Sequence, residues 1–174
     1  MEPEIIQQLR KNNATAQQQF YTLHAKRMFL VALRYAGNEF DASTIISHAF
    51  MKTFSKINHF KWNGEGSIEA WLRRIVVNES LMLLRANKKE KATVIISDRE
   101  NKIAAKANDL LEEQDYLNMI RCLPSGYRTV FNLSVIEGYS HEEIAQMLSI
   151  SQETSRSQLS RARALLRDKL KDEA

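Results

Sequence analysis

Between its few glycines and prolines the chain repeats apolar residues at helical spacing, and nowhere does it alternate for long as a strand would. Only five glycines (Gly37, Gly64, Gly66, Gly126, Gly138) and two prolines (Pro3, Pro124) punctuate its 174 residues. Each glycine falls where an apolar period stops, as a helix end requires. The fold class that follows is all-α. Helices are expected over about 14–35, with Phe20, Leu23, Met28, Val31 and Leu33 among the apolar positions, and over about 41–57, with Asp41 as N-cap. A third should span about 67–88, capped by Ser67 after a loop at 59–66. Residues 1–13, with Pro3 in a frayed start, read as a tail.

Residues 91–108 lose the period and become polar with mixed charge. They read as a flexible linker, in which Val94, Ile95 and Ile96 form a short apolar patch that a partner could order. Beyond it, 109–174 should close four helices into a second unit, including 110–123 and 127–137. The expected architecture is therefore two small helical domains, 14–90 and 109–174, joined by that linker.

The last two helices carry the clearest chemistry. Ser140 followed by Glu143 makes a capping box, in which the hydroxyl accepts from the third amide and the carboxylate reaches back. Ile144, Ala145 and Leu148 share one face, and the small Ala145 admits a close neighbour. Ser149, Ile150 and Ser151 form a turn with an apolar plug, Ser151 capping the next helix. In that helix Leu159, Ala162, Leu166 and Leu170 point inward, and Arg156, Ser157, Gln158, Ser160, Arg161 and Arg163 outward. The pattern is that of a helix-turn-helix whose second helix reads DNA. An amphipathic hairpin with a merely solvated basic face has the same spacing. Two details favour DNA: Ser and Gln accompany the arginines, and the acids are confined to Glu153 and Asp168 near the helix ends.

Composition narrows the function classes. A net charge of +4 is mild, so attraction to phosphate must come from local clustering. Cys122 stands alone, which excludes an internal disulfide and disfavours a cysteine-based zinc site; its default role is a small core hydrophobe. His24, His48, His59 and His141 lack ligand spacing, and there is no phosphate loop or nucleophile triad, so an enzyme is disfavoured and no cofactor is implied. No signal peptide or membrane-spanning run is recognisable, which makes the expected location cytoplasmic, without membrane insertion.

The N-terminal half interleaves aromatics with cations. Phe60, Trp62 and Trp71 flank a Gly-Glu-Gly-Ser loop, and the helix after it carries Arg73, Arg74, Arg85, Lys88 and Lys89. Rings that stack on bases beside cations that follow phosphates suit a single strand, and a glycine loop beside a helix start can hold one extruded base. Trp71 shares a face with Ile68 and Ile75 and reads more readily as core; Phe60 and Trp62, in the loop, are the better contact candidates.

Taken together, ALRYAGNEFDA, GEGSIEAWLRRIVVNESLMLLR, LPSGYRTVFNLSVIEGYSHEEIAQMLSIS and TSRSQLSRARALL resemble the extracytoplasmic-function (ECF) sigma factors of the sigma-70 superfamily, especially Bacteroidetes-type members. Each motif is moderately specific; their order and separation are highly so. The resemblance implies sigma domain 2 at 14–90 and sigma domain 4 at 109–174, in a non-catalytic protein that gives core RNA polymerase promoter specificity. It places Arg156, Ser157, Ser160 and Arg161 at the -35 element, with Ser140, Thr154 and Arg163 on the DNA backbone. It assigns Arg74 and Asn78 to the -10 element, and the loop 58–67, with Phe60, Trp62, Gly66 and Ser67, to a flipped base of the non-template strand. Partners implied are the polymerase clamp and flap, promoter DNA and an anti-sigma factor.

One departure stands out. Family members usually open the second helix with an acidic cluster, but here the run is Asp41, Ala42, Ser43, Thr44, then Ser47, His48, Ala49 and Phe50. That face docks on core polymerase in the family. Asp41, Ile46, His48 and Phe50 are its expected docking residues here, with contact more apolar than ionic. A left-handed Ser149, where glycine is common, would cost about 1 kcal/mol. The alternative function is a helix-turn-helix transcriptional regulator that binds duplex DNA without core polymerase.

Overall fold

The computed structural model describes residues 2–93 and 113–172, which are helical throughout apart from turns and loops. The expected linker with Val94, Ile95 and Ile96 lies, but for its first three residues, outside the described residues, as does the start of the fourth expected helix. Residue contacts divide the chain into two compact units, 1–92 and 93–174. No helix among the described residues is long and apolar enough to cross a membrane.

The first unit comprises α1 (Glu2–Arg10), α2 (Ala14–Ala36), α3 (Glu39–Lys56), a 3-10 turn at Ile57–His59 and α4 (Ser67–Thr93). The expected tail is thus a helix. Ile6 and Leu9, three residues apart, share one face and are buried, with α1 packed on α2 and the 3-10 turn. Asn13 caps α2, its side chain accepting from the Ala16 amide at 3.0 Å. Asp41 does not cap α3: Asn38 does, accepting from the Asp41 amide at 2.9 Å and donating to its carboxylate at 2.9 Å. Ser67 is already helical, and its hydroxyl accepts from the Asn63 amide at 3.3 Å. Phe20, Tyr35, Ile45, Ile68, Leu72 and Val76 fill the core, and Phe20, Phe50 and Phe54 meet ring to ring. Lys52 and the buried Glu79 pair at 2.6 Å and tie α3 to α4.

The second unit comprises α5 (Glu113–Arg121), α6 (Ser125–Phe131), a π-helical continuation at Asn132–Ile136, α7 (His141–Leu148) and α8 (Gln152–Asp172). α5, α6 and α7 all pack on α8, around Leu123, Val130, Leu133, Ile144, Leu159 and Ala162. Arg128 is buried, and its guanidinium donates to the carbonyls of Arg121 (2.9 Å) and Leu123 (3.2 Å), satisfying the end of α5. Burial pushes its pKa down, the neighbouring Arg121 adding to the shift. Cys122 is exposed rather than a core residue, and Leu170 points to solvent at 47 % exposure, one turn beyond the inward period.

Candidate nucleic-acid interfaces

Each unit carries one surface suited to nucleic acid. In the second, the capping box forms: the Ser140 hydroxyl accepts from the Glu143 amide at 3.2 Å, and the Ser140 amide donates to the Glu143 carboxylate at 2.8 Å. These bonds hold the Glu143 carboxyl below its ordinary pKa. Ser149 is left-handed (φ 54°, ψ 49°) and ends α7. The Ser151 hydroxyl then accepts from the Thr154 amide at 3.0 Å and starts α8. A 2.8 Å bond between His141 Nδ1 and the buried Ser155 hydroxyl locks the two helices together.

That frame leaves Thr154, Arg156, Ser157, Ser160, Arg161 and Arg163 exposed along α8, with Ser140 exposed at the start of α7. Arg156 is steadied by Gln152 (3.1 Å) and stands 3.8 Å from Glu153. Arg161 donates to the Tyr127 hydroxyl at 3.3 Å, a support from α6 that the periodicity of α8 alone gave no reason to expect. Gln158, expected outward, instead lies half-buried against Gly126.

In the first unit, a cleft of about 380 Å³ lies between the loop after the 3-10 turn and the first turns of α4. His59, Lys61, Asn63, Ser67, Trp71 and Arg74 line it. The volume is at the lower end for ligand pockets, and the walls mix a ring, cations and hydrogen-bonding groups, the combination an unstacked base requires. Gly66 has φ +79°, a conformation that strains any side-chain-bearing residue, and its amide opens α4. Arg74, Asn78, Met82 and Arg85 continue from the cleft as an exposed stripe at three- and four-residue spacing.

The aromatic assignments change in this site. Phe60 is only 6 % exposed; its ring packs 5.0 Å from that of Trp71, so it walls the cleft without offering a free face. Trp71, read as core, is half-buried and lines the cleft. Trp62 is exposed, and its indole N–H donates to Glu2 at 3.4 Å. The other Glu2 carboxylate oxygen accepts from the Gly66 amide at 2.9 Å, and Arg10 donates to the Phe60 carbonyl at 2.7 Å.

On α3, Ile46 and Phe50 are buried, at 5 % and 3 % exposure, so neither is an outward docking residue; both belong to the core, where the Phe50 ring meets Phe20 and Tyr21 of α2. Asp41 is half-exposed and His48 exposed. The outward apolar residues are Phe40 (82 % exposed) and Met51 (62 %), eleven residues and so about three turns apart on one face, with Ser43, Ser47 and His48 between. The three-turn spacing is present in the sequence and was the signal to find them.

The sigma-70 region 2 family model matches residues 20–90, and the sigma-70 region 4 model residues 113–166. The chain is 30 % identical over 153 residues to the ECF RNA polymerase sigma factor SigE of Mycolicibacterium smegmatis, covering 84 % of this chain and 58 % of that protein. It therefore spans less than two thirds of that relative. It is 27 % identical to the ECF RNA polymerase sigma-E factor of Haemophilus influenzae, over 79 % of this chain and 78 % of that one. It is 28 % identical to the RNA polymerase sigma factor SigV of Bacillus subtilis, over 87 % and 89 %. Among solved structures, the sigma factor RpoE of Bartonella quintana, in complex with the anti-sigma factor NepR, matches with a TM-score of 0.53 and 25 % identity, over 88 % and 96 % of the two chains. CnrH, in complex with the cytosolic domain of CnrY, is alike in fold, with a TM-score of 0.51 and 22 % identity over 98 % and 97 %.

Proposed function

We propose that the chain is an RNA polymerase sigma factor of the sigma-70 family, in its extracytoplasmic-function branch, directing promoter-specific transcription initiation. One observation carries the reading: a single chain holds both a helix-turn-helix with exposed arginines and a cleft of about 380 Å³ beside a helix with exposed arginines, in the two segments that the family models match. In this reading α8 enters the major groove of the -35 element. Arg156, Ser157, Ser160 and Arg161 face base edges, and Ser140, Thr154 and Arg163 hold the DNA backbone. Arg74 and Asn78 read the -10 element, and Trp62, Trp71, Gly66 and Ser67 receive an unstacked base of the non-template strand. Such a base exists only after melting, so its capture stabilises the melted state selectively.

The α3 face docks core polymerase, with Asp41 and His48 as its polar contacts and Phe40 and Met51 as its apolar ones. Promoter DNA and an anti-sigma factor are the other partners, the latter supported by the complex of the RpoE relative with the anti-sigma factor NepR. The protein acts in the cytoplasm and catalyses nothing itself. The wording of its motifs supports placement with the Bacteroidetes-type members. Transcription in vitro with core polymerase over genomic fragments tests the reading: it should yield discrete start sites that vanish without the protein. Tight duplex binding by the protein alone, as a dimer, with no start sites would instead identify a helix-turn-helix regulator.

A further inference from the structure

The loop that would receive the unstacked base is already engaged by the protein's own first helix. Both carboxylate oxygens of Glu2 are used there, one accepting from the Gly66 amide at 2.9 Å and the other from the Trp62 indole at 3.4 Å. Those two donors belong to the loop itself, and the Gly66 amide lies at the positive end of α4. A carboxylate offers paired anionic acceptors, as the phosphodiester of a strand does. It also sets a negative charge beside a cleft otherwise rimmed by Lys61 and Arg74.

The rest of α1 is held independently of Glu2. Ile6 and Leu9 are buried at 2 % and 1 % exposure, and Arg10 donates to the Phe60 carbonyl at 2.7 Å. Pro3 and Glu4, in the first turn, are exposed. Glu2 can therefore swing away while α1 stays docked. We propose that Glu2 is a displaceable internal competitor: it occupies the donors of the strand-capture loop in the free protein and must leave when the non-template strand enters. The proposal rests on the assignment of this loop to single-strand capture. It adds a threshold, since apparent affinity for the strand is reduced by the fraction of loops that are open.

The test uses holoenzyme assembled with core polymerase. The probe is a fluorescent fork-junction DNA, single-stranded on its non-template strand across the -10 element of a promoter mapped by transcription in vitro. A loop closed by Glu2 for most of the time implies that Glu2→Ala tightens fork binding by roughly three- to tenfold. Glu2→Gln, which keeps an acceptor but loses the charge, should fall between wild type and Glu2→Ala. Fully duplex DNA should bind within about twofold of wild type, because no unstacked base enters the cleft there. Arg74→Ala serves as the reference and should weaken fork binding. If Arg74→Ala weakens the fork while Glu2→Ala leaves it unchanged or weakens it, capture by the loop stands and the competitor role is overturned. If Arg74→Ala and Trp62→Ala both leave fork binding unchanged, the assignment of the loop fails and the competitor role falls with it.

Discussion

The two surfaces differ in how their shape is held. In the helix-turn-helix, the bonds that set the backbone are short in sequence: Ser140 with Glu143 and Ser151 with Thr154, each three residues apart. The bond between its two helices, His141 to Ser155, spans 14 residues, and the longer reach of Arg161 to Tyr127, across 34, steadies a side chain and not the backbone. The cleft loop of the first unit is held from far away, by Arg10 across 50 residues and by Glu2 across 64. A duplex presents a fixed groove, so a prefixed helix loses little conformational entropy in meeting it. An unstacked strand must be admitted, so its receptor needs a part that moves. Local bonding suits the first task, and a remote, displaceable strap suits the second.

The largest effect that would break this comparison is on independence. Ile144 is fully buried in the second unit, and Ile144→Ala should destabilise that unit by about 2–5 kcal/mol. If the units fold separately, the unfolding transition of the first will not move, and recognition of the -35 element will fail while fork binding persists. A single transition shifted as a whole, followed by fluorescence of Trp62 and Trp71 and by circular dichroism, would mean that the two surfaces are mechanically one.

Removal of a reading arginine sharpens the contrast between direct readout and strand capture. Arg161→Ala or Arg156→Ala should lose about 1–3 kcal/mol of discrimination at a guanine it contacts, measured as relative initiation from -35 variants. Arg74→Ala should spare that discrimination and reduce melted-state lifetime instead. Tyr127→Phe tests the prop beneath Arg161 and should lower discrimination less than Arg161→Ala does. Equal losses on all -35 variants would make Arg161 a phosphate contact.

A smaller effect is expected at the turn. Ser149 holds the left-handed conformation of a helix C-cap, and Ser149→Gly should stabilise the second unit by about 1 kcal/mol, seen as a higher denaturation midpoint of that unit only. Destabilisation would show that flexibility added to the unfolded chain outweighs the relieved strain.

Acid gives the mildest separation of the units. Burial, opposed by Glu69 and reinforced by Arg27, holds His24 below its ordinary value. The unfolded chain therefore takes up this proton first as pH falls. The contribution of neutral His24 is complete above about pH 6.5 and is lost as pH drops towards the lower folded value. Glu143 also has a lowered value, so its contribution is lost only as pH falls through the carboxylate range. The first unit should thus weaken at milder acidity than the capping box does. Denaturation midpoints of wild type and His24→Gln across this range check it; identical pH profiles would remove His24 from the account.

The helix-turn-helix was legible because its determinants are neighbours. Capping box, turn and the inward period of Leu159 and Ala162 all stand where the residues suggest. The exceptions need a third dimension: Gln158 lies against Gly126 of α6, and Leu170 is left 47 % exposed. In the first unit, the helical period of α3 was readable, but not which of its apolar residues face inward. Ile46 and Phe50 are buried, Phe50 against α2, leaving Phe40 and Met51 outside. A single residue's step around the helix, from Phe50 to Met51, separates core from exposed face.

By itself, then, the sequence determined an all-helical chain, the order of its helices, the caps that begin α7 and α8, and the basic face of α8. These depend on spacing, propensity and hydrogen bonds within a few residues. Only the tertiary structure decided that residues 2–10 form a helix, that Phe60 is a wall while Trp71 faces the cleft, and that Glu2 lies on the loop amide. Each of these depends on which distant surface covers the residue, and amphipathic periodicity specifies that a face is covered without specifying by what.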